Sequence, residues 1–416
     1  MPRTLVDLFA GCGGLGLGLE RAGFETVFVN ELHRDAMETY LLNRPLGDLK
    51  ARENHAFDIM EITQHDGELD ALARRLRRQH GDIDLVAGGP PCQGYSGIGH
   101  RRSFVLAKEE IPSNHLYRDM AKFVEAVQPK AFLFENVRGL LNARWVPTGE
   151  KGEIWEEVRK TFNAITVKRG RKTLHYEIGW ALVSAKDYGV PQNRPRVLMV
   201  GFRSDIAPAK RSDLVAEGYL PEPDGGAPHP IDLLGDLDDP NWKPGGATTR
   251  YLTDPRHEVQ ELLRTTPDGK IMLRGVELTE QEYGNHAERI IMKFRYMLDN
   301  DGQIPVEMKA KKFAQRVIPT HWGPGGPNIT ATSLADDYVH FARPRVPTVR
   351  EWARIQMFPD WYQFAGKRTT GGRRRAGDPS TGDWSREVPK YTQIGNAVPV
   401  ALAERVGHHL DALLEG

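Results

Sequence analysis

The sequence predicts an α/β protein: a mostly parallel sheet covered by helices, with a second, smaller domain of irregular texture. Three observations carry this. Residues 4–203 alternate strand-like with helix-like segments, and repeated βα units close into such a sheet. From about Ser204 that rhythm stops, and Pro221, Pro223, Gly225, Gly226, Pro228 and Pro230 crowd together. The chain has 416 residues, 39% of them hydrophobic, enough for two domains and a sizeable core.

The elements follow in order. Residues 4–9 (TLVDLF) read as a strand, then a Gly-rich turn and a helix to about Ala22. Residues 26–29 make a second strand and 35–43 a helix. A basic amphipathic helix over 69–79 precedes the apolar run 83–89, a buried strand that opens into Pro90-Pro91-Cys92-Gln93. Residues 117–127 form a helix and 131–134 a strand, with a strand pair at 180–183 and 196–201. Regular structure resumes at 348–356, a Gly/Arg-rich loop spans 366–383, and an amphipathic helix closes the chain over 399–414. The expected division is a domain over 1–203 completed by 388–416, a second domain over 204–346, and a return segment over 347–387.

Composition narrows the function. Lys plus Arg and Asp plus Glu are both 56, so net charge points to no nucleic-acid partner, although basic residues can still cluster locally. Two cysteines rule against a disulfide framework or a multi-cysteine zinc site. Neither a signal peptide nor a membrane span is legible, so the expected location is the cytoplasm.

Four stretches carry chemistry. The turn Gly11-Cys12-Gly13-Gly14-Leu15-Gly16 fits G-x-G-x-x-G between a strand and a helix, with Glu31 twenty positions beyond Gly11. That pattern suits a nucleoside cofactor held by backbone N–H groups, with the acid on ribose hydroxyls. A dinucleotide and S-adenosylmethionine fit equally, since either presents an anionic group to the helix N-terminus. Phe9 is placed to cover an adenine and Asp58 to accept from its amino group; taken alone, Asp58 is an ordinary loop carboxylate. Cys92 sits on a stiff turn at a strand's end, where a nucleophile belongs. Glu135 ends the next strand and faces the same crevice if the two strands are neighbours; otherwise it caps a helix or meets solvent. Arg194 and Arg196 share a strand face and can hold anionic or carbonyl oxygens, or form surface ion pairs.

The ordered set resembles the cytosine-C5 DNA methyltransferases. It comprises Phe9-Ala10-Gly11-Cys12-Gly13-Gly14, Pro90-Pro91-Cys92-Gln93, Glu135-Asn136-Val137, Gln192-Asn193-Arg194-Pro195-Arg196, Thr348-Val349-Arg350-Glu351 and Gln393-Ile394-Gly395-Asn396-Ala397-Val398. Each motif is weak, but six in order with a long variable segment between the fourth and fifth are specific. The resemblance implies a class I S-adenosylmethionine-dependent (Rossmann-like) sheet with a smaller target-recognition domain.

It also implies roles. Cys92 adds to C6 of cytosine, Glu135 hydrogen-bonds or protonates N3, Arg196 holds O2, and Arg194 supports the loop. S-adenosylmethionine is implied at Phe9, Ala10, Gly11, Gly13, Gly14, Leu15, Glu31, Asp58, Ile59, Pro90, Leu116, Asn396 and Val398. Leu32 departs from the Trp many relatives carry beside the acid. Double-stranded DNA is the implied substrate, its target base swung out of the helix. The loop after Cys92, with Ser96, Arg101 and Arg102, is assigned to the DNA. Ile329 and Thr330, in a Thr-rich stretch that reads as a strand, fall in an element resembling the one that approaches the vacated position. Arg350 and Arg354, four apart on a helix, are placed to meet phosphates or to pair with Glu351 and Asp360. The implied protein is a monomer that needs no metal, and a cognate restriction endonuclease is among the functional partners the resemblance allows.

Two other classes compete. A nicotinamide- or flavin-dependent oxidoreductase would account for the Gly-rich turn but leaves Cys92, Glu135 and Arg196 idle. A catalytically silent DNA-binding regulator has no use for Cys92 and Glu135. Within the enzyme class an RNA substrate uses the same chemistry, but residues 204–346 lack the cysteine of the tRNA branch's signature.

Overall fold

A computed structural model of the chain describes residues 2–44, 48–91, 112–309, 315–323, 326–332, 334–369 and 387–415. Two compact units make it up. The first comprises Met1–Ser184, Pro195–Pro223 and Ala403–Gly416; the second comprises Ala185–Arg194 and Asp224–Leu402.

The first unit begins β1 (Arg3–Leu8), α1 (Gly14–Arg21), β2 (Phe24–Asn30), α2 (Arg34–Leu42), β3 (His55–Ala56), α3 (Ile59–Thr63), α4 (Glu68–His80) and β4 (Leu85–Gly88). It continues α5 (Leu116–Val127), β5 (Ala131–Val137), α6 (Glu153–Asn163), β6 (Thr166–Arg169), β7 (Lys172–Ser184), β8 (Pro195–Arg203) and α7 (Ser212–Ala216). The eight strands form one sheet in the order β3-β2-β1-β4-β5-β8-β7-β6. Strands β4 and β5 are almost wholly buried, as near-continuous apolar runs must be when helices cover both faces. Val6, Val86, Phe132 and Phe134 from the sheet pack with Met120 and Phe123 of α5 and Trp155 and Phe162 of α6.

The sheet is less parallel than the sequence predicts. Strands β3, β2, β1, β4 and β5 run parallel, but β8 is antiparallel to β5, β7 to β8 and β6 to β7. No α-helix separates β6, β7 and β8, and each turns back on its predecessor. Gly170, at φ +60°, makes the first of those turns.

Residues 204–223 stay with the sheet although the change of texture precedes them. Tyr219 packs on Phe202 at 4.8 Å between ring centroids, and the Val215 carbonyl lies where Gly179 has no side chain. The C-terminal helix Val400–Glu415 returns to the first unit from Ala403 onward. There Gly407 lets it press on Leu19 and Ala22, and Asp411 pairs with Arg3.

The second unit contains α8 (Pro230–Leu234), α9 (Glu258–Arg264), α10 (Glu288–Asp299), β9 (Arg316–Val317), β10 (Tyr338–Val339), α11 (Val349–Ile355) and a helix at Lys390–Asn396. Thr348 starts α11 with a capping box: its hydroxyl accepts from Glu351 N and the Glu351 carboxylate accepts from Thr348 N. Among the described residues no helix is long and apolar enough to cross a membrane.

Candidate active site

The strand order reverses between β1 and β4. In open α/β sheets the crevice beyond the carboxyl ends of the strands at such a point is where ligands bind. The Gly-rich turn leaves β1 there, Pro90 and Pro91 leave β4, and Glu135 sits near the end of β5.

The turn after β1 is built from left-handed backbone. Phe9 has φ +54°, Gly11 +56° and Gly13 +88°, and the bulky Phe9 in that region is the outlier. Side chains from the end of β2 lace it. The Glu31 carboxylate accepts from Gly11 N (2.9 Å) and His33 N (2.8 Å). Asn30 accepts from Phe9 N at 3.4 Å and donates to the Phe57 carbonyl at 2.7 Å, joining the β1 turn to the loop that holds Asp58. Ala10, Gly14 and Leu15 are buried, as is Ile59, which packs in the core. No side chain caps the N-terminus of α1. Asp58 caps α3 instead, accepting from Met60 N at 2.9 Å. Leu116, buried, opens α5.

Glu135 and Arg196 form the charged centre of this face. In the β5–β8 pairing Glu135 lies opposite Leu198 and Val137 opposite Arg196, so the two form a diagonal pair on one face. Arg196 Nε donates to Glu135 Oε1 at 2.7 Å, with both side chains about nine-tenths buried. Burial pulls the Arg196 pKa below its ordinary value, and the Glu135 carboxylate opposes that shift. Glycines on β4 make room: a Cβ on Gly88 would meet the Leu8 carbonyl at 2.9 Å, and one on Gly89 the Glu135 Oε2 at 2.7 Å. Pro90 is buried one residue further on, and Asn136 Nδ2 donates to its carbonyl at 3.0 Å. Cys92, Ser96, Arg101 and Arg102 lie outside the described residues.

In the second unit Arg194 is a buried clamp. Its guanidinium donates to the carbonyls of Ile329 (2.8 Å), Gly395 (2.7 Å) and Ala397 (3.0 Å), with a longer bond to Asn396. Gln192 and Gln356 continue the arrangement, Gln356 Nε2 donating to the Ile394 and Ala397 carbonyls. Asn396, within the clamped segment, is exposed, and Val398, just beyond it, is half-buried.

Four sequence expectations need correction here. Arg350 is fully buried and spends its guanidinium on Thr279 and on the carbonyls of Pro359 and Tyr362. Arg354, also fully buried, lies between Asp236 and Asp360, so of the two readings offered for it the pairing with Asp360 holds and the phosphate contact does not. The Ile329 side chain is fully buried too and presents nothing to DNA. The stretch around it forms no strand, because its polar groups are taken by other partners. Asn328 N donates to the Tyr338 hydroxyl, Thr330 Oγ1 to Asp337 at 3.0 Å, and the Ile329 carbonyl accepts from Arg194. Asn30, Asn136 and Gly395 carry structural work that the sequence reading did not single out. For Asn30 and Asn136 the signal was a polar residue at the end of an apolar strand.

The reversal point, the left-handed Gly turn and the paired acid and guanidinium define an enzyme of the class I methyltransferase type. The chain belongs to the C-5 cytosine-specific DNA methylase family, whose model matches residues 3–412, and it is thus a DNA (cytosine-5)-methyltransferase. Relatives include the type II methyltransferase M.DdeI of Desulfomicrobium norvegicum, 28% identical over 99% of this chain and 89% of that protein. M.Sau96I of Staphylococcus aureus, another type II methyltransferase, is 31% identical over 98% of this chain and 75% of its own. In fold the chain is similar to a putative DNA modification methyltransferase encoded within a prophage (E. coli). The TM-score is 0.67 at 21% identity, with both chains fully covered.

Proposed function

We propose that the enzyme transfers a methyl group from S-adenosylmethionine to C5 of a cytosine swung out of duplex DNA, through a covalent bond between Cys92 and C6. The observation that carries this reading is the Glu135–Arg196 pair, held against Gly89 where β4 runs on toward Cys92. Cytosine C5 is a poor nucleophile until a thiolate adds to C6 and makes C5 enamine-like. Addition pushes charge onto N3 and O2. Glu135 shares a proton with N3 in this reading, and Arg196, paired with Glu135, holds O2. Loss of the C5 proton after methyl transfer expels the Cys92 thiolate and restores the ring.

The cofactor, when bound, supplies the electrophilic methyl group. The residues of the turn fit it: left-handed backbone at Gly11 and Gly13, an uncapped helix end at α1, and the buried Glu31 carboxylate for ribose hydroxyls. Phe9, Asp58 and Pro90 are the further residues we assign to it. The second unit would read the target sequence, with Thr330 near the emptied position. The relatives' names, type II methyltransferases, support a restriction endonuclease that shares the target. Unstacking the base costs roughly a few kcal/mol, which the pocket must recover.

Duplex DNA carrying 5-fluorocytosine tests this directly. Fluorine at C5 cannot leave as a proton does, so the expected result is a trapped adduct at Cys92 that Cys92→Ala does not form. Normal methylation of ordinary DNA by Cys92→Ala would sink the proposal.

A further inference from the structure

We propose that Asn136 is a positioning residue for the nucleophile: by holding the Pro90 carbonyl it sets the direction in which the chain leaves β4 for Cys92. The inference rests on Cys92 being the nucleophile.

Backbone pairing between β4 and β5 ends at Gly88 and Phe134. Beyond that point the chain enters Pro90 and Pro91, neither of which has an N–H to donate. The next residues of β5, Glu135 and Asn136, pair on their other side with Leu198 and Val197 of β8. Their side chains therefore take over from the ladder. Glu135 fills the space beside Gly89, and Asn136 Nδ2 donates to the Pro90 carbonyl at 3.0 Å. Successive strand residues point to opposite faces, so the two grip the departing chain from two sides.

The bond acts on the first of the two torsions the prolines leave loose. Each ring fixes φ, and a following proline biases Pro90 to extended backbone, but rotation about its ψ still swings the next peptide plane. The Pro90 carbonyl lies in that plane. Holding its oxygen fixes the plane and with it the start of Pro91, one residue before Cys92. The Asn136 amide cannot turn away freely, because its Oδ1 accepts from Val137 N at 2.9 Å. Asn136 and Pro90 are both buried, so no water replaces the donor.

Asn136→Asp is the cleanest test. It keeps the shape and the acceptor for Val137 N, and replaces the donor by a carboxylate oxygen that brings a negative charge at neutral pH. The expected result is a fall in kcat of between about tenfold and about a hundredfold, with KM for DNA and cofactor nearly unchanged, as for a misplaced reacting group. Adduct formation with 5-fluorocytosine DNA should slow in the same ratio. The Asp variant should regain activity relative to wild type at acidic pH, where its carboxyl again carries a proton to donate; Asn136→Ala should not. Alkylation of Cys92 by iodoacetamide gives a second readout without DNA, because Cys12, the other cysteine, is 1% exposed. Wild-type kcat and adduct rate in a folded Asn136→Asp or Asn136→Ala enzyme would overturn the inference, as would a loss lying wholly in KM. Cys92→Ala is the control. If it is inactive while both Asn136 variants are normal, only the positioning role fails; if it is active, the reading beneath it fails as well.

Discussion

Gly395 offers the sharpest test of how the second unit is held together. It lies in the buried helix Lys390–Asn396, directly against the segment that carries Thr330. A Cβ there would sit 2.5 Å from the Thr330 carbonyl carbon and 2.8 Å from Ala331 N. Carbon atoms in contact prefer about 3.5–4.0 Å, so Gly395→Ala must open this approach by about 1 Å. Three bonds span the gap or its edges: Arg194 to the Ile329 carbonyl, Arg194 to the Gly395 carbonyl, and Thr392 Oγ1 to the Thr332 carbonyl at 2.9 Å. A bond stretched by that much is lost. Two effects then oppose each other. Alanine favours the helix by up to about 1 kcal/mol over glycine. Overpacking costs about 1–3 kcal/mol, and each buried bond lost about 1 kcal/mol more. The expected balance is destabilisation by about 2–4 kcal/mol, read as a lower urea midpoint. Displacing Thr330 by about 1 Å should also lower methyl transfer by about a hundredfold in the folded enzyme. An alanine variant with the wild-type midpoint and turnover would refute the geometry.

Other substitutions separate buried groups from functional ones. Arg354→Met should destabilise the protein by about 3–5 kcal/mol, because Asp236 and Asp360 lose their shared partner in a site closed to water. The folded variant should show the wild-type salt dependence of DNA binding; a slope smaller by about one would restore Arg354 as a phosphate contact. Asp7 provides a pH test. It is buried at the end of β1, accepts from the Tyr40 hydroxyl at 3.0 Å, and burial pushes its pKa up to about 7, against the pull of Arg44. Between its unfolded value near 3.8 and 7 the native state keeps a proton that the unfolded chain has released, so stability falls as pH rises through that window. The full change is about 4 kcal/mol, and Asp7→Asn should remove it. Urea midpoints of the two proteins at several pH values decide this: parallel curves would show that Asp7 is not the group responsible.

Much of the fold was open to reading along the chain. Buried runs such as 85–88 and 131–136 name their strands because a strand covered on both faces has few polar positions. The turn after β1 names itself because left-handed backbone favours glycine, and Glu31 falls at the end of β2 because strand, turn and helix have fixed lengths. Where strands reverse was not legible: β6, β7 and β8 carry ordinary strand patterns, and direction depends on connections rather than on residue type.

Local chemistry, which runs a few residues at a time, was thus set by the sequence itself: the Gly-rich turn, the stiff approach to Cys92, the acid ending β5, the capping box at Thr348. What only the tertiary structure decided is the fate of groups whose partners come from far away. Arg194, Arg196, Arg350 and Arg354 are the same residue type in four settings. Folding brings Asp236 to Arg354 across 118 positions, the Ile329 and Gly395 carbonyls to Arg194 across 135 and 201, and Glu135 to Arg196. A guanidinium takes its role from the acceptors that surround it once water is gone. That is why Arg196 pairs with Glu135 on the sheet, while the other three tie carbonyls and carboxylates together in the second unit.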